Sequence, residues 1–254
     1  MSRTVAAQLI SASFLTRYHR HTRSLAVSFL FILPLLVVYE MGMLILRPAT
    51  VSWAGDVLRW LLHGAFGRWG SLAFNLAVIV AIAAALIATR RTAGARRGGG
   101  VNLDFFPALL AESLAYAAVI MMVVPLVIRY ALPLAQAVPH GENGTLDNLV
   151  LSVGAGIYEE IVFRLGLMSV IYLVVLKLTR ESWFATVLAI FFSSVLFSVA
   201  HYLGGIEMPA GEFIRSFSFR TISGIIFAAI YINRGLAVAC YTHAFYDVLV
   251  VVFG

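Results

Sequence analysis

The sequence predicts an all-α fold, a polytopic transmembrane helical bundle of about seven to eight spans. Three observations carry this. The chain has 254 residues, of which 61% are hydrophobic and 12% charged, whereas about a quarter of a soluble domain is charged. Its apolar segments are long continuous runs rather than the alternating stretches of a membrane barrel, and in hydrocarbon only a helix satisfies its own backbone. The basic residues are almost all Arg and cluster beside those runs, as topology determinants do. The net charge of +6 therefore reads as topology, and nucleic acid is excluded as a partner. The lone Cys240 lies in an apolar stretch and reads as small core filler, with no disulfide framework or cysteine metal cluster.

The chain opens on a polar, basic lead from Met1 to Arg23, whose Gln8 to Phe14 patch is too short to span. Ser24 to Leu46 is the first span; it is too long for a signal-peptide core and lacks a cleavage site. Between Arg47 and Gly70, Trp53, Trp60 and Trp69 accompany Val57, Leu58, Leu61 and Leu62 on one helical face, which suits a surface helix over about 53–66. Ser71 to Ala88 is the second span, and the Arg- and Gly-rich Thr89 to Gly100 is a flexible loop. Phe105 to Ile128 is the third, with Glu112 and Pro125, followed by an extramembrane loop from Arg129 to Asp147. Residues 1–145 thus form an N-terminal membrane segment and 146–254 a core segment.

Leu146 to Leu176 is longer than the roughly 20 residues a crossing needs, so it tilts or breaks near Gly154 and Gly156. Phe184 to Leu203 is the next span, Gly204 to Phe219 a polar connection, Arg220 to Ile232 a short span and Leu236 to Phe253 the last. An N-terminus inside places more Arg and Lys on the inner side.

Ionisable groups inside spans cost at least about 2.5 to 3.5 kcal/mol each at mid-helix, so their convergence points to function. Here they are Glu159, Glu160, Arg164, His201, His243 and Asp247, on three helices. Four residues apart on one face, Glu160 and Arg164 can pair. Glu159 points about 100° away from Glu160 and is the general-base candidate. The alternative for Glu160 and Arg164 is a structural ion pair against substrate positioning; for His201 it is an interfacial anchor. His243 and Asp247 can form an intrahelical pair, or share a water or a metal. Glu40, Glu112 and Arg129 read as solvated or interfacial.

Taken in order, Glu159 to Arg164 (E-E-x-x-x-R), Phe197 to His201 (F-x-x-x-H) and His243 to Asp247 (H-x-x-x-D) resemble the CPBP family of intramembrane proteases. That family includes type II CAAX prenyl endopeptidases and bacteriocin-processing or immunity relatives. The resemblance covers Leu146 to Phe253 and extends to Ser223-Gly224 through Tyr231 and Gly235-Leu236. It implies that Glu159 activates water, that His201 and His243 hold or activate it, and that Asp247 polarises or stabilises the oxyanion. The family often has Asn at that last position, and an ionised Asp would repel the developing charge. Glu160 and Arg164 would support or position substrate.

The expected activity is hydrolysis of a peptide bond in a membrane-bound or lipid-modified polypeptide, in the bilayer, with no cofactor and with the bacterial inner membrane as location. A zinc ion on His201, His243 and Glu159 or Asp247 is the metal alternative, although no H-E-x-x-H occurs. A serine mechanism lacks a base beside any Ser. Two other classes stay open: a non-catalytic immunity or assembly factor on the same fold, and a proton-coupled transporter, although the sequence does not show the paired half-repeats expected of many transporters.

Overall fold

Helices that are apolar on every side cannot choose a buried face by hydropathy alone; small residues and a few polar anchors choose it for them. The computed structural model describes residues 14–46, 80, 83–84, 87, 102–131, 145–203 and 208–253. The expected surface helix at about 53–66, the loop to Gly100 and nearly all of the span at 71–88 lie outside these residues. Among the described residues there is no strand, and six helices are long and apolar enough to cross a membrane. The chain is an integral, multi-pass membrane protein.

After a short helix over 14–22, the six are α1 (Leu25–Leu46), α2 (Phe106–Ala131), α3 (Thr145–Thr179), α4 (Ser182–Ala200), α5 (Ala210–Arg234) and α6 (Leu236–Phe253). A single 3-10 turn, Leu103–Phe105, leads into α2. In α1 the buried stripe is Val27, Ser28, Phe31, Ile32, Leu35, Leu36 and Tyr39, while Val37, Val38, Leu44 and Ile45 face outward. In α2 the stripe is Leu109, Ser113, Ala117, Ile120, Val124 and Ile128. Both follow the three-to-four spacing that keeps one helical face inward.

The last helix is the centre of the bundle. Every residue from Leu236 to Ala244 is buried, and α6 packs on α1, α2, α3 and α5. Glycines set two of the crossings of α3. A methyl group at Gly154 would strike the Tyr39 ring of α1, and one at Gly156 would come within 2.6 Å of the Ala244 backbone nitrogen of α6. Such close approach is how small residues bring membrane helices together without a hydrophobic driving force.

Three sequence expectations are corrected. The long helix α3 does not break at Gly154 or Gly156; it runs on, and its hydrogen-bond register widens to a π-helix over Glu160–Met168. The helix expected to begin at Arg220 begins at Ala210, so ten residues assigned to a polar connection are helical. Pro209 stands just before its first turn and Glu212 within it, and both residue types favour a helix start. The polar side chains in that stretch are absorbed by the helix: Arg220 bonds to Ser216 one turn earlier, and Ser198 of α4 donates to the Phe217 carbonyl at 2.9 Å.

Glu112 is the third. It is not simply interfacial: it takes both Nε and Nη2 of Arg234 at 2.5 and 2.7 Å, and accepts a further bond from Tyr18. This clamp ties the 14–22 helix, α2 and the end of α5 together. Arg234 leads straight into Gly235, the only residue between α5 and α6, at φ 93°. A side chain there would be strained and would press on the Thr22 carbonyl. Glu40 accepts a bond from Tyr158 at 3.2 Å, and Arg129 is exposed.

Candidate active site

Two consecutive carboxylates face one imidazole, and one of them bonds to it. His243, projecting from the buried middle of α6, has Glu160 Oε1 2.8 Å from Nδ1 on one edge of its ring, and Glu159 Oε2 3.7 Å from Nε2 on the other. In an ordinary α-helix neighbouring side chains diverge by about 100°. Here the register changes to π at this point, with Glu159 the last α-helical residue and Glu160 the first of the π segment. Rings of wider i to i+5 hydrogen bonds are rare and recur at functional sites.

The sequence-predicted residues are brought together as follows. Glu159, Glu160, Arg164 and His243 are buried. His201 and Asp247 form the outer layer, with side chains 20% and 27% exposed. Arg164 Nε lies 3.2 Å from Glu160 Oε2. His201 Nε2 lies 3.9 Å from Glu159 Oε1, and Asp247 Oδ2 3.5 Å from His243 Nε2. Glu159 therefore faces both imidazole Nε2 atoms at distances too long for a direct hydrogen bond. Glu160 does more than neutralise Arg164: its other oxygen accepts from the Nδ1–H of His243, which fixes the ring and its tautomer.

Two aromatic side chains complete the cluster: Phe197, which belongs to the F-x-x-x-H motif, and Phe227. Phe227 of α5 stacks on His243, with centroids 4.5 Å apart and planes 14° apart. Phe197 meets His201 edge-on at 4.8 Å, and the His201 Nδ1–H donates to the Phe197 carbonyl at 2.8 Å. The Arg164 guanidinium lies 4.6 Å from the Phe197 ring centre and 5.6 Å from that of Phe227, and donates to the Gly224 carbonyl at 3.3 Å. Cation–π contacts strengthen when desolvated, to about 2 kcal/mol or more. Gly224 also lets α5 approach α4, since an added methyl would sit 3.0 Å from the Ser194 Cβ. Only the Ser223-Gly224 pair hinted at this in sequence; Phe227 was indistinguishable from any apolar residue of its span.

The fold and site define a class: a helical membrane protein with a buried acid–base cluster formed by α3, α4 and α6. Residues 142–249 match a family model, Rce1-like, described as Type II CAAX prenyl endopeptidase Rce1-like. This segment, 108 of the 254 residues, contains all six site residues and is similar to that family, in keeping with the resemblance of its three motifs. No curated protein and no solved structure matches the chain.

Proposed function

We propose that the protein is an intramembrane endopeptidase that hydrolyses a peptide bond of a membrane-bound polypeptide, with Glu159 as the base that activates water. The observation carrying this reading is the placement of the Glu159 carboxylate, buried and facing Nε2 of both His201 and His243 at 3.9 and 3.7 Å. One shared water spans such separations, since each of its hydrogen bonds is about 2.8 Å long.

In this mechanism Glu159 takes a proton from the water as it attacks the carbonyl carbon, and later delivers it to the leaving amine. His201 holds the water through the lone pair on Nε2, because its Nδ1–H is committed to the Phe197 carbonyl. His243, held by Glu160, offers an Nε2–H to the developing oxyanion when the ring is cationic. Asp247, 3.5 Å from that nitrogen, orients and charge-stabilises His243. This avoids asking an anionic side chain to meet the oxyanion directly. The mechanism uses no metal; were activity lost to a chelator and restored by zinc, it would be wrong.

Lipid modification of the substrate and location in a bacterial inner membrane are parts of the same proposal. Comparative proteomics of membranes holding the wild-type protein or Glu159→Gln tests it, by the disappearance of defined cleavage products in the variant. Products that persist unchanged in Glu159→Gln would refute the assignment of the base.

A further inference from the structure

His201 stands in the turn just past the end of α4, outside the span Ser182–Ala200. The residue after it, Tyr202, is gripped from α5. Arg220 Nη1 donates to the Tyr202 hydroxyl at 3.0 Å and also to Ser216 Oγ, and the guanidinium carbon lies 5.4 Å from the Tyr202 ring centre. Phe213 and Phe217 flank the same ring, with centroids 4.8 and 6.4 Å away. Burial first, and the Arg220 charge after it, hold the pKa of His201 below the ordinary 6.5.

We propose that Arg220 is a positioning residue of the site: through Tyr202 it fixes the turn that carries His201, and its charge adds to the burial that keeps that imidazole neutral, with Nε2 as an acceptor. The physical reason is the lone pair. With Nδ1–H bound to the Phe197 carbonyl, Nε2 accepts only while the ring is uncharged. Of the charged or titratable groups acting on His201, Glu159 from α3 favours its cation; Arg164 from α3, His243 from α6 and Arg220 from α5 oppose it. Arg220 is the one of these that also holds the turn mechanically. The catalytic consequence rests on the proteolytic reading; the ionisation of His201 does not.

The test is a histidine-selective ¹³C NMR titration of the purified, detergent-solubilised full chain, with the His201 resonance assigned by its loss in His201→Asn. In Arg220→Gln the His201 midpoint rises by on the order of one pH unit, and in Arg220→Lys it stays near the wild-type value. Tyr202→Phe keeps the charge and removes the hydroxyl anchor; it displaces the His201 resonance, and kcat/KM falls with the midpoint little changed. An Arg220→Gln midpoint equal to wild type overturns the proposal. If that variant does not fold, an unshifted His201 resonance in Tyr202→Phe overturns it instead. If the wild-type protein cleaves nothing, the proteolytic reading fails while the titration still decides the role of Arg220.

Discussion

Glu159 and Glu160 are neighbours in sequence with separable duties, and substitution distinguishes them. Glu159→Gln keeps shape and burial but removes the base, so turnover falls by about 10²-fold or more while the thermal unfolding temperature in detergent holds. Glu160 and Arg164 answer differently. Both are fully buried, so Arg164→Leu strands the Glu160 charge and costs about 3–5 kcal/mol, measured by denaturant unfolding. The double variant Glu160→Gln with Arg164→Leu recovers part of that loss. A double variant no more stable than Arg164→Leu would show that the pair is not what holds this region. The three motifs made these residues legible in the sequence alone, because a charge inside an apolar run is conspicuous. What sequence could not supply was which atoms meet: the 2.8 Å bond from His243 to Glu160 joins residues 83 apart.

At the scale of helices, the contact between α3 and α6 governs where Glu159 stands. Gly156→Ala would drive a methyl group into the Ala244 backbone, which cannot move aside as a side-chain tip can. The expected cost is about 1–3 kcal/mol, together with a fall in turnover, because Glu159 lies on the same turn and faces α6. Gly166→Ala is the control: its added methyl meets only the Ile161 carbonyl, at 3.4 Å, and both stability and turnover should hold. Equal effects at the two positions would sink the idea that close approach at Gly156 matters. Sequence length flagged α3 as too long for one plain crossing, but not how the excess is used. A change of backbone register leaves no compositional mark, and Gly154 and Gly156, read as possible breaks, are points of helix contact. The start of α5 was hidden for a related reason: Ser216 looks like a loop residue until its partner Arg220, one turn on, is known.

For the molecule as a whole, the 14–22 helix closes one end of the bundle, and its stability should depend on pH. His21, outside the spans, accepts a bond at Nε2 from the Asn102 N–H at 3.0 Å, and burial holds its pKa below the ordinary 6.5. The unfolded chain therefore binds the His21 proton more readily than the folded one. Stability contributed here is complete above about 6.5 and is lost as pH falls through the lowered folded value. Thermal unfolding across that window should show an acid-side decline that is shallower in His21→Gln; an identical decline would assign it to other groups. None of this was visible in sequence, because His21 and Asn102 are 81 residues apart, and Glu112 and Arg234, each alone resembling an interfacial charge, are 122 apart.

That separation has a consequence for how the protein is made. Chains emerge N-terminus first, so Glu112 enters the bilayer long before Arg234 exists, while Tyr18, already synthesised, can bond to it at once. The Tyr18 hydroxyl would then act as a temporary escort for the carboxylate until its permanent counter-ion arrives. In a chain truncated after residue 203, Tyr18→Phe should reduce insertion of α2, scored by glycosylation mapping, whereas in the full chain the same change should cost little. Equal insertion in both truncated forms would remove the escort from the account.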